Sequence, residues 1–409
     1  MTTIFPPGHR RPSHQDEWEP TADRRWVAMS RAQQLAHQGL LLTHPNPRVG
    51  CVITDTAGQA VMAEGHTQQA GGPHAEVMAL RDAAARGVDV RGATAWVTLE
   101  PCSHHGRTPP CCDALVAAGI GKVVVATLDP NPLVAGRGVQ RLREAGIAVE
   151  VLPPGDELAR SVRELNIGFF SRMVRRVPWV RMKMAASLDG ITALPNGASQ
   201  WITGEAARAD GHAWRARACA VLTGIGTVRE DDPMLDVRAL AVPRQPHLVI
   251  VDSRLQTLPS ARLWDTPAGG LPRKIIIYHA LPPEQAAGPG AALLERGATL
   301  VALPGPHGKV DLAAMLRDLA AREVNELHLE AGHQLNGSFL REGLVDEVLL
   351  YQAPLLLGTG AGLSSLGPLQ SLAQGTPLHY QAVDRVGDDL RIVARVAGRD
   401  GFLDAPTPG

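Results

Sequence analysis

The chain has 409 residues, 44% hydrophobic and 20% charged, with a formal net charge of −1. That length points to two folding units rather than one core. No run approaches the ~18 apolar residues of a membrane-spanning helix, and 40 basic against 41 acidic residues leave no basic excess for tracking nucleic-acid phosphates.

Residues 1–22 are polar and proline-rich, lack the apolar centre of a secretory signal, and are expected to form a disordered arm. From Asp23, the positions Trp26, Met29, Ala32, Leu35 and Ala36 recur at helical spacing and stop before Gly39. Segments 49–54, 93–99 and 122–128, rich in Val, Ile or Thr and bounded by Gly, Pro or Asp, read as buried strands. Helical stretches 75–86 and 112–118 lie between them, the second closed by Gly119. Alternating strands and helices imply an α/β/α sandwich with a partly parallel sheet over 23–152. A strand at 148–152 precedes Pro153-Pro154-Gly155, a helix over 156–166 and a basic stretch 171–176, so 153–177 is read as a linker. Strand–helix alternation then restarts, with strands expected at 179–185, 220–223, 247–252, 274–278, 299–303, 326–330 and 345–351. This is a second, independent α/β domain over 178–400, followed by a tail, 401–409, that frays from Asp404.

The first domain carries His74-Ala75-Glu76, then Pro101-Cys102, then Cys111. Three protein ligands fit a catalytic zinc that keeps one position for water, whereas structural zinc usually takes four. His-x-Glu with Pro-Cys-x-x-Cys is the signature of zinc nucleobase deaminases, in which the Glu moves protons. Here eight residues, not two, separate the cysteines. His74 and Glu76 are expected at one helix start and Cys111 at another, where N–H groups and helix dipoles favour thiolate. A lone His-x-Glu would be only a capped turn; the cysteines make that reading unattractive. Cys112 points elsewhere around its helix and Cys51 belongs to a strand core. His104, His105 and Arg107, between the cysteines, either meet a substrate anion or are solvated. Five cysteines in so long a chain make no disulfide scaffold and fit a reducing cytoplasm.

In the second domain, a strand runs into the turn Ser187-Leu188-Asp189-Gly190, and glycine turns follow two further strands, at Thr223-Gly224-Ile225-Gly226 and Glu330-Ala331-Gly332. They read either as ordinary turns or as a nucleotide cleft, and no complete Gly-x-Gly-x-x-Gly fingerprint supports a Rossmann site.

These residues resemble the RibD family of bifunctional riboflavin-biosynthesis enzymes. The resemblance rests on His44-Pro45-Asn46-Pro47-Arg48-Val49-Gly50, Gly72-Pro73-His74-Ala75-Glu76, the run from Thr98-Leu99-Glu100-Pro101-Cys102 to Pro109-Pro110-Cys111, and Asp129-Pro130-Asn131-Pro132. In the second half it rests on Ser187-Leu188-Asp189-Gly190, Ser199-Gln200-Trp201-Ile202-Thr203, Asp231-Asp232-Pro233 and Glu330-Ala331-Gly332. It covers about residues 23–396 and implies a cytidine-deaminase-like sandwich followed by a dihydrofolate-reductase-like α/β domain. It also implies zinc on His74, Cys102 and Cys111, Glu76 as catalytic acid/base, and substrate beside Asn46, His66 and His104. For the second half it implies NADPH at Ala185, Trp201, Thr227, Asp231, Ser253 and the turn Gly332, His333, Gln334, Leu335, Asn336, Gly337. Substrate falls to Ser199, Arg215, Leu235, Arg238 and Glu330, with Lys183 able to reach the sugar or its phosphate. Arg215 and Arg238 suit a bidentate clamp on a 5′-phosphate, while Arg217 is expected to be solvated surface. The implied partners are phosphorylated pyrimidines, with no nucleic acid and no membrane, and dimers or tetramers are common in that family. The competing readings are a nucleic-acid base deaminase with a C-terminal binding module and a zinc scaffold without activity. Neutral charge, 4% aromatic residues and the long cysteine loop oppose the first, and the second leaves Glu76 without a task.

Overall fold

The computed structural model describes residues 24–104, 109–132 and 134–404, and the chain forms two units that meet in sequence at Arg176 and Val177. The expected arm lies outside the described residues, as does the end of the tail.

The first unit contains α1 (Arg24–Gln38), β1 (Gly50–Thr54), β2 (Val61–His66), α2 (Ala75–Ala85), β3 (Thr94–Val97), α3 (Cys111–Ala117), β4 (Lys122–Val125), α4 (Arg137–Glu144), β5 (Ala148–Val151), α5 (Glu157–Leu165) and α6 (Ile167–Arg175). Its sheet has the order β2-β1-β3-β4-β5. β1 is antiparallel to β2 and β3, while β3, β4 and β5 run parallel. That register puts the start of β1 and the ends of β2, β3 and β4 at one edge, so the segments holding Asn46, His66, Cys102 and Asp129 all leave the sheet there. β1 and β3 are buried throughout, as expected for strands covered on both faces.

Helices fill 153–177. The Asp156 carboxylate caps α5 by accepting N–H bonds from Leu158 and Ala159, and Leu158, Ala159 and Val162 join Ala28, Met29 and Trp96 in one core. Asn166, between α5 and α6, donates to the Arg48 carbonyl and accepts the Arg48 N–H, fixing the chain that enters β1. The short 3-10 turn Gly401–Leu403 belongs to this unit, burying Leu403 and placing the Phe402 ring centroid 4.8 Å from the Arg175 guanidinium carbon.

The second unit contains β6 (Trp179–Ser187), β7 (Ile191–Ala193), α7 (Glu205–Arg217), β8 (Ala220–Gly224), α8 (Ile225–Asp231), β9 (His247–Val251), β10 (Ile275–His279), α9 (Pro283–Glu295), β11 (Thr299–Ala302), α10 (Leu312–Ala321), β12 (Glu326–Leu329), α11 (His333–Arg341), β13 (Glu347–Ala353), β14 (Ala361–Gly362), β15 (Leu378–Val386) and β16 (Asp389–Val396). The nine-stranded sheet has the order β11-β10-β9-β8-β12-β6-β13-β16-β15. Neighbours from β11 to β13 are parallel, and the β15–β16 hairpin is antiparallel.

One face of this sheet is polar. Arg181 pairs with Glu347 and Glu326, Arg217 Nε donates to Glu326 Oε2 at 2.7 Å, and the Trp214 ring lies 4.5 Å from Arg181 and 5.7 Å from Arg217. Arg217 is therefore not solvated surface: it is 4% exposed, because Glu326 on the strand below needs its charge. A buried carboxylate stripped of a partner is strongly destabilising, so Arg217→Ala should lower the stability of this unit by about 3 kcal/mol, read as a fall in its denaturant midpoint.

Candidate active sites

In the first unit, α2 begins at Ala75 with His74 as its N-cap, and α3 begins at Cys111. Two helix starts thus meet the loop after β3. His74 Nδ1 lies 3.6 Å from Cys102 Sγ and 3.4 Å from Cys111 Sγ, and the three ligand atoms lie within 4.8 Å of one another. Tetrahedral zinc with Zn–S of about 2.3 Å and Zn–N of about 2.0 Å requires nitrogen and sulfur about 3.5 Å apart, so the donor set fits this metal in type and spacing. The thiol and N–H of Cys111, together with His74, hold the Cys102 thiol down to about 4 against the opposing effect of burial; Cys111 in turn is pushed up by Cys102 and by burial. The pair is poised to release its remaining proton to a cation.

Glu76, on the first turn of α2, is 3% exposed. Burial, and then the Cys102 charge, raise its carboxyl to about 7, the range in which a group can both accept and return a proton at neutral pH. Cys112 is buried, with its thiol against the Pro101 and Gly138 carbonyls at 3.3 and 3.5 Å, and is not part of the candidate metal group. Asn46 sits in the turn before β1, its N–H bonded to the Thr43 carbonyl. His66 ends β2, where it lines a groove of about 520 Å³ with Arg31, Glu64, Met78 and Asp82. His104 is exposed, and His105 and Arg107 lie outside the described residues.

Sequence reasoning gave no role to Glu100, which precedes the Pro-Cys pair. Its buried carboxylate accepts four backbone N–H bonds, from Asp129 at 3.2 Å, Gly136 at 2.9 Å, Gly138 at 2.9 Å and Val139 at 3.1 Å. These draw the start of α4 onto the cysteine loop. The approach is close enough that a Cβ on Gly138 would stand 2.1 Å from the Pro101 oxygen, which is why glycine occupies that position.

In the second unit the candidate residues gather at the carboxyl ends of parallel strands, the usual ligand edge of an open α/β sheet. Arg215 on α7 binds Glu330 through both carboxylate oxygens, at 2.6 and 2.9 Å, and donates to the Asp236 carbonyl at 2.7 Å. Burial alone would raise the Glu330 carboxyl; the Arg215 pair outweighs it and holds Glu330 well below the usual range. Lys183 on β6 is lowered by burial and sits near both charges, its Nζ 6.0 Å from the Tyr351 ring centroid. Arg238 is half exposed and bonded to Asp236, and Leu235 is buried with φ +50°.

Around the glycine turns, Gly224 faces Leu335 and Gly332 faces Thr227. Asn336 is buried and donates to the Leu363 carbonyl, and a Cβ on Gly337 would fall 2.1 Å from the Ser365 oxygen. The later part of the turn is thus packed against a strap at 363–365, leaving the start of α11, Gly332, His333 and Gln334, to present N–H groups. Asp231 ends α8, Ser253 follows β9 with its Oγ accepting the Val310 N–H, and Ala185 lies on β6. Trp201 is 65% exposed, with the Arg208 guanidinium 4.7 Å from its ring centroid, and Ser199 lies in the same loop. Asp189 pins the loop after β13: the bond from the Ser187 hydroxyl, then those from the Gly358 and Leu357 N–H groups, hold it down to about 2.

Comparison with known proteins agrees with this division. The family model for the cytidine and deoxycytidylate deaminase zinc-binding region matches residues 23–127, and that for the RibD C-terminal domain matches 178–391. Fold and site together define a zinc-dependent deaminase joined to a reductase. The chain is 42% identical over 375 residues to riboflavin biosynthesis protein RibD of Escherichia coli K12, covering 88% of this chain and 96% of that protein. It is 39% identical to RibD of Aquifex aeolicus over 89% of this chain and 96% of that protein. Among solved structures, Acinetobacter baumannii RibD superposes with a TM-score of 0.79 at 40% identity, over 91% of this chain and 99% of that one. The deaminase/reductase of Thermotoga maritima gives 0.77 at 32% identity, over 91% and 99%. The chain belongs to the RibD family: it is a bifunctional enzyme of riboflavin biosynthesis, using zinc for deamination and NADPH for reduction. Among the described residues no helix is long and apolar enough to cross a membrane.

Replacing Glu100 by Gln turns one acceptor into a donor facing two N–H groups. The expected result is a loss of about 2 kcal/mol in stability of the first unit and weaker zinc retention, measured by denaturation and by metal content after dialysis.

Proposed function

We propose that the two sites take successive phosphorylated pyrimidines, with the residue roles that follow. The first substrate is 2,5-diamino-6-(5-phosphoribosylamino)pyrimidin-4(3H)-one, which loses its 2-amino group as ammonia while water supplies the oxygen of the new carbonyl. The second step reduces the ribosyl group of 5-amino-6-(5-phosphoribosylamino)uracil to ribityl. The observation that carries the reading is the convergence of His74 Nδ1, Cys102 Sγ and Cys111 Sγ beside a buried, near-neutral Glu76.

Zinc held by those three ligands supplies Lewis-acid activation of water. Glu76 takes the proton of the attacking water and delivers it to the departing amine, a shuttle its raised pKa suits. Asn46, His66 and His104 orient the pyrimidine from the same sheet edge. NADPH supplies the hydride for the second step. Ala185, Trp201, Thr227, Asp231, Ser253 and the start of α11 hold it, while Leu335, Asn336 and Gly337 shape that turn from within. Arg238 meets the substrate phosphate with the N–H groups that Arg215 has left; Glu330 and Lys183 face the sugar, and Ser199 and Leu235 complete the pocket. The near-neutral charge favours a small anionic substrate over nucleic acid. A reducing cytoplasm suits the two thiol ligands, which must stay unoxidised to bind metal.

Supplying the diaminopyrimidinone phosphate with and without NADPH tests the scheme: ammonia should appear in both, and NADPH oxidation should follow deamination. Ammonia without oxidation refutes the second step. Glu76→Gln should retain zinc yet lose at least about 10²-fold in ammonia release; full activity would remove it from proton transfer. A zinc chelator should stop ammonia release while leaving NADPH oxidation intact when the deaminated compound is supplied. Arg215→Ala should lower reduction about 10²-fold, as expected when a charged hydrogen-bonded pair is broken, with ammonia release unchanged.

A further inference from the structure

His328 lies on β12 two residues before Glu330, so both side chains leave the strand on the polar face. It is fully buried. Its Nε2 stands 3.4 Å from Glu330 Oε1, and among the described residues neither ring nitrogen has a partner in hydrogen-bond geometry. A buried polar ring without a partner is costly and uncommon. The acceptor in reach is the carboxylate that Arg215 binds through Nε and Nη2. Burial disfavours the imidazolium, as do Arg181 at the same register on β6 and Arg215 on α7, and these outweigh the attraction of Glu330. The ring is therefore neutral, and its single N–H is best placed on Nε2, the nitrogen within 3.4 Å of a carboxylate oxygen.

We propose that His328 is a positioning residue for the reduction: its Nε2–H is a third donor to Glu330 and, with Arg215, fixes the plane in which that carboxylate meets the substrate. This rests on the reading of Glu330 as a substrate-binding group. Arg215 grips the carboxylate through Nε and Nη2 and is itself held by the Asp236 carbonyl, so these bonds reach Glu330 only from the helix side. A donor from the strand beneath ties it to the sheet. The role is distinct from that of the paired carboxylates Glu326 and Glu347, which meet arginines at 1% and 5% side-chain exposure.

The test uses the full chain with His328→Leu, His328→Gln, His328→Asn and Glu330→Gln, measuring kcat and KM for the deaminated substrate and for NADPH, ammonia release, and thermal unfolding. His328→Leu should lower reductase kcat/KM about tenfold, the scale of one lost bond to a charged group. The loss should lie mainly in KM for the pyrimidine phosphate, with KM for NADPH unchanged. His328→Gln, whose amide reaches as far as Nε2, should restore most of it, and the shorter His328→Asn should not. Wild-type kinetics in a folded His328→Leu overturn the proposal, as do equal losses in Leu and Gln that track thermal stability. Should His328→Leu not fold, equal reduction by the Gln and Asn variants overturns it. Glu330→Gln separates the two claims: wild-type reduction there sinks the reading of Glu330 itself, whereas loss there with no effect at His328 sinks the positioning role alone.

Discussion

A carboxylate taken out of water must find its partners inside the protein, and in each unit one such group organises the ground around the chemistry. Among the described residues Glu100 pairs with no cation. It satisfies its charge with four backbone N–H groups drawn from a stretch of eleven residues, 129–139, so the chain after β4 must fold back over the cysteine loop. Pro101 and Cys102 follow directly, with Gly138 pressed against the Pro101 carbonyl. Cys102, one of the three groups that could hold the zinc, therefore inherits its position from a residue outside that set, much as outer-shell partners orient ligands elsewhere.

The second unit meets the same constraint with side chains in place of backbone. Glu326, His328 and Glu330 alternate along one face of β12, matched by Arg181 and Lys183 on β6 and by Arg215 and Arg217 from α7. Charges at the strand starts close on one another: Arg181, Glu326, Glu347 and Arg217 leave nothing for a ligand. Toward the strand ends the pairing loosens. Arg238 is half exposed, and Arg215 retains N–H groups beyond its bonds to Glu330 and the Asp236 carbonyl.

Legibility in the sequence followed how far each signal was local. The grouping of His74, Cys102 and Cys111 could be read because imidazole and thiol side chains have few reasons to recur at such spacing, and the long buried strands because Val and Ile runs admit few alternatives. β2 was passed over: Val61-Met62-Ala63-Glu64-Gly65-His66 lies at the sheet edge with only two buried positions, so its composition resembles a loop. α4 is short and interrupted by Gly138, which is there for the Pro101 contact rather than for helix propensity. The β15–β16 hairpin alternates polar and apolar residues around Gly387 on an exposed edge, and its signal is period two, not hydrophobic mass. Arg217 was misjudged because an arginine near a helix end is ordinarily solvated; only the register of Glu326 beneath it makes burial favourable. Glu100 was invisible for a related reason, since its partners are backbone groups that no residue type announces.

Polar side chains that stabilise the second unit and those proposed to face its substrate belong to one continuous face of one sheet. That arrangement constrains what substitution can do. A charge removed at Arg217 leaves Glu326 to Arg181, whose guanidinium lies 3.2 Å away and is shared with Glu347. A change at Glu330 leaves Arg215 with its bond to the Asp236 carbonyl and removes the carboxylate 3.4 Å from His328 Nε2. Strand β12 thus couples a closed, purely structural ion cluster at its start to an open one at its end, with a neutral imidazole between two charged levels. Placing a neutral ring there keeps Arg181 and Arg215 from facing each other through a third cation, and it lets the reactive end hold its geometry without drawing on the pairs that hold the fold.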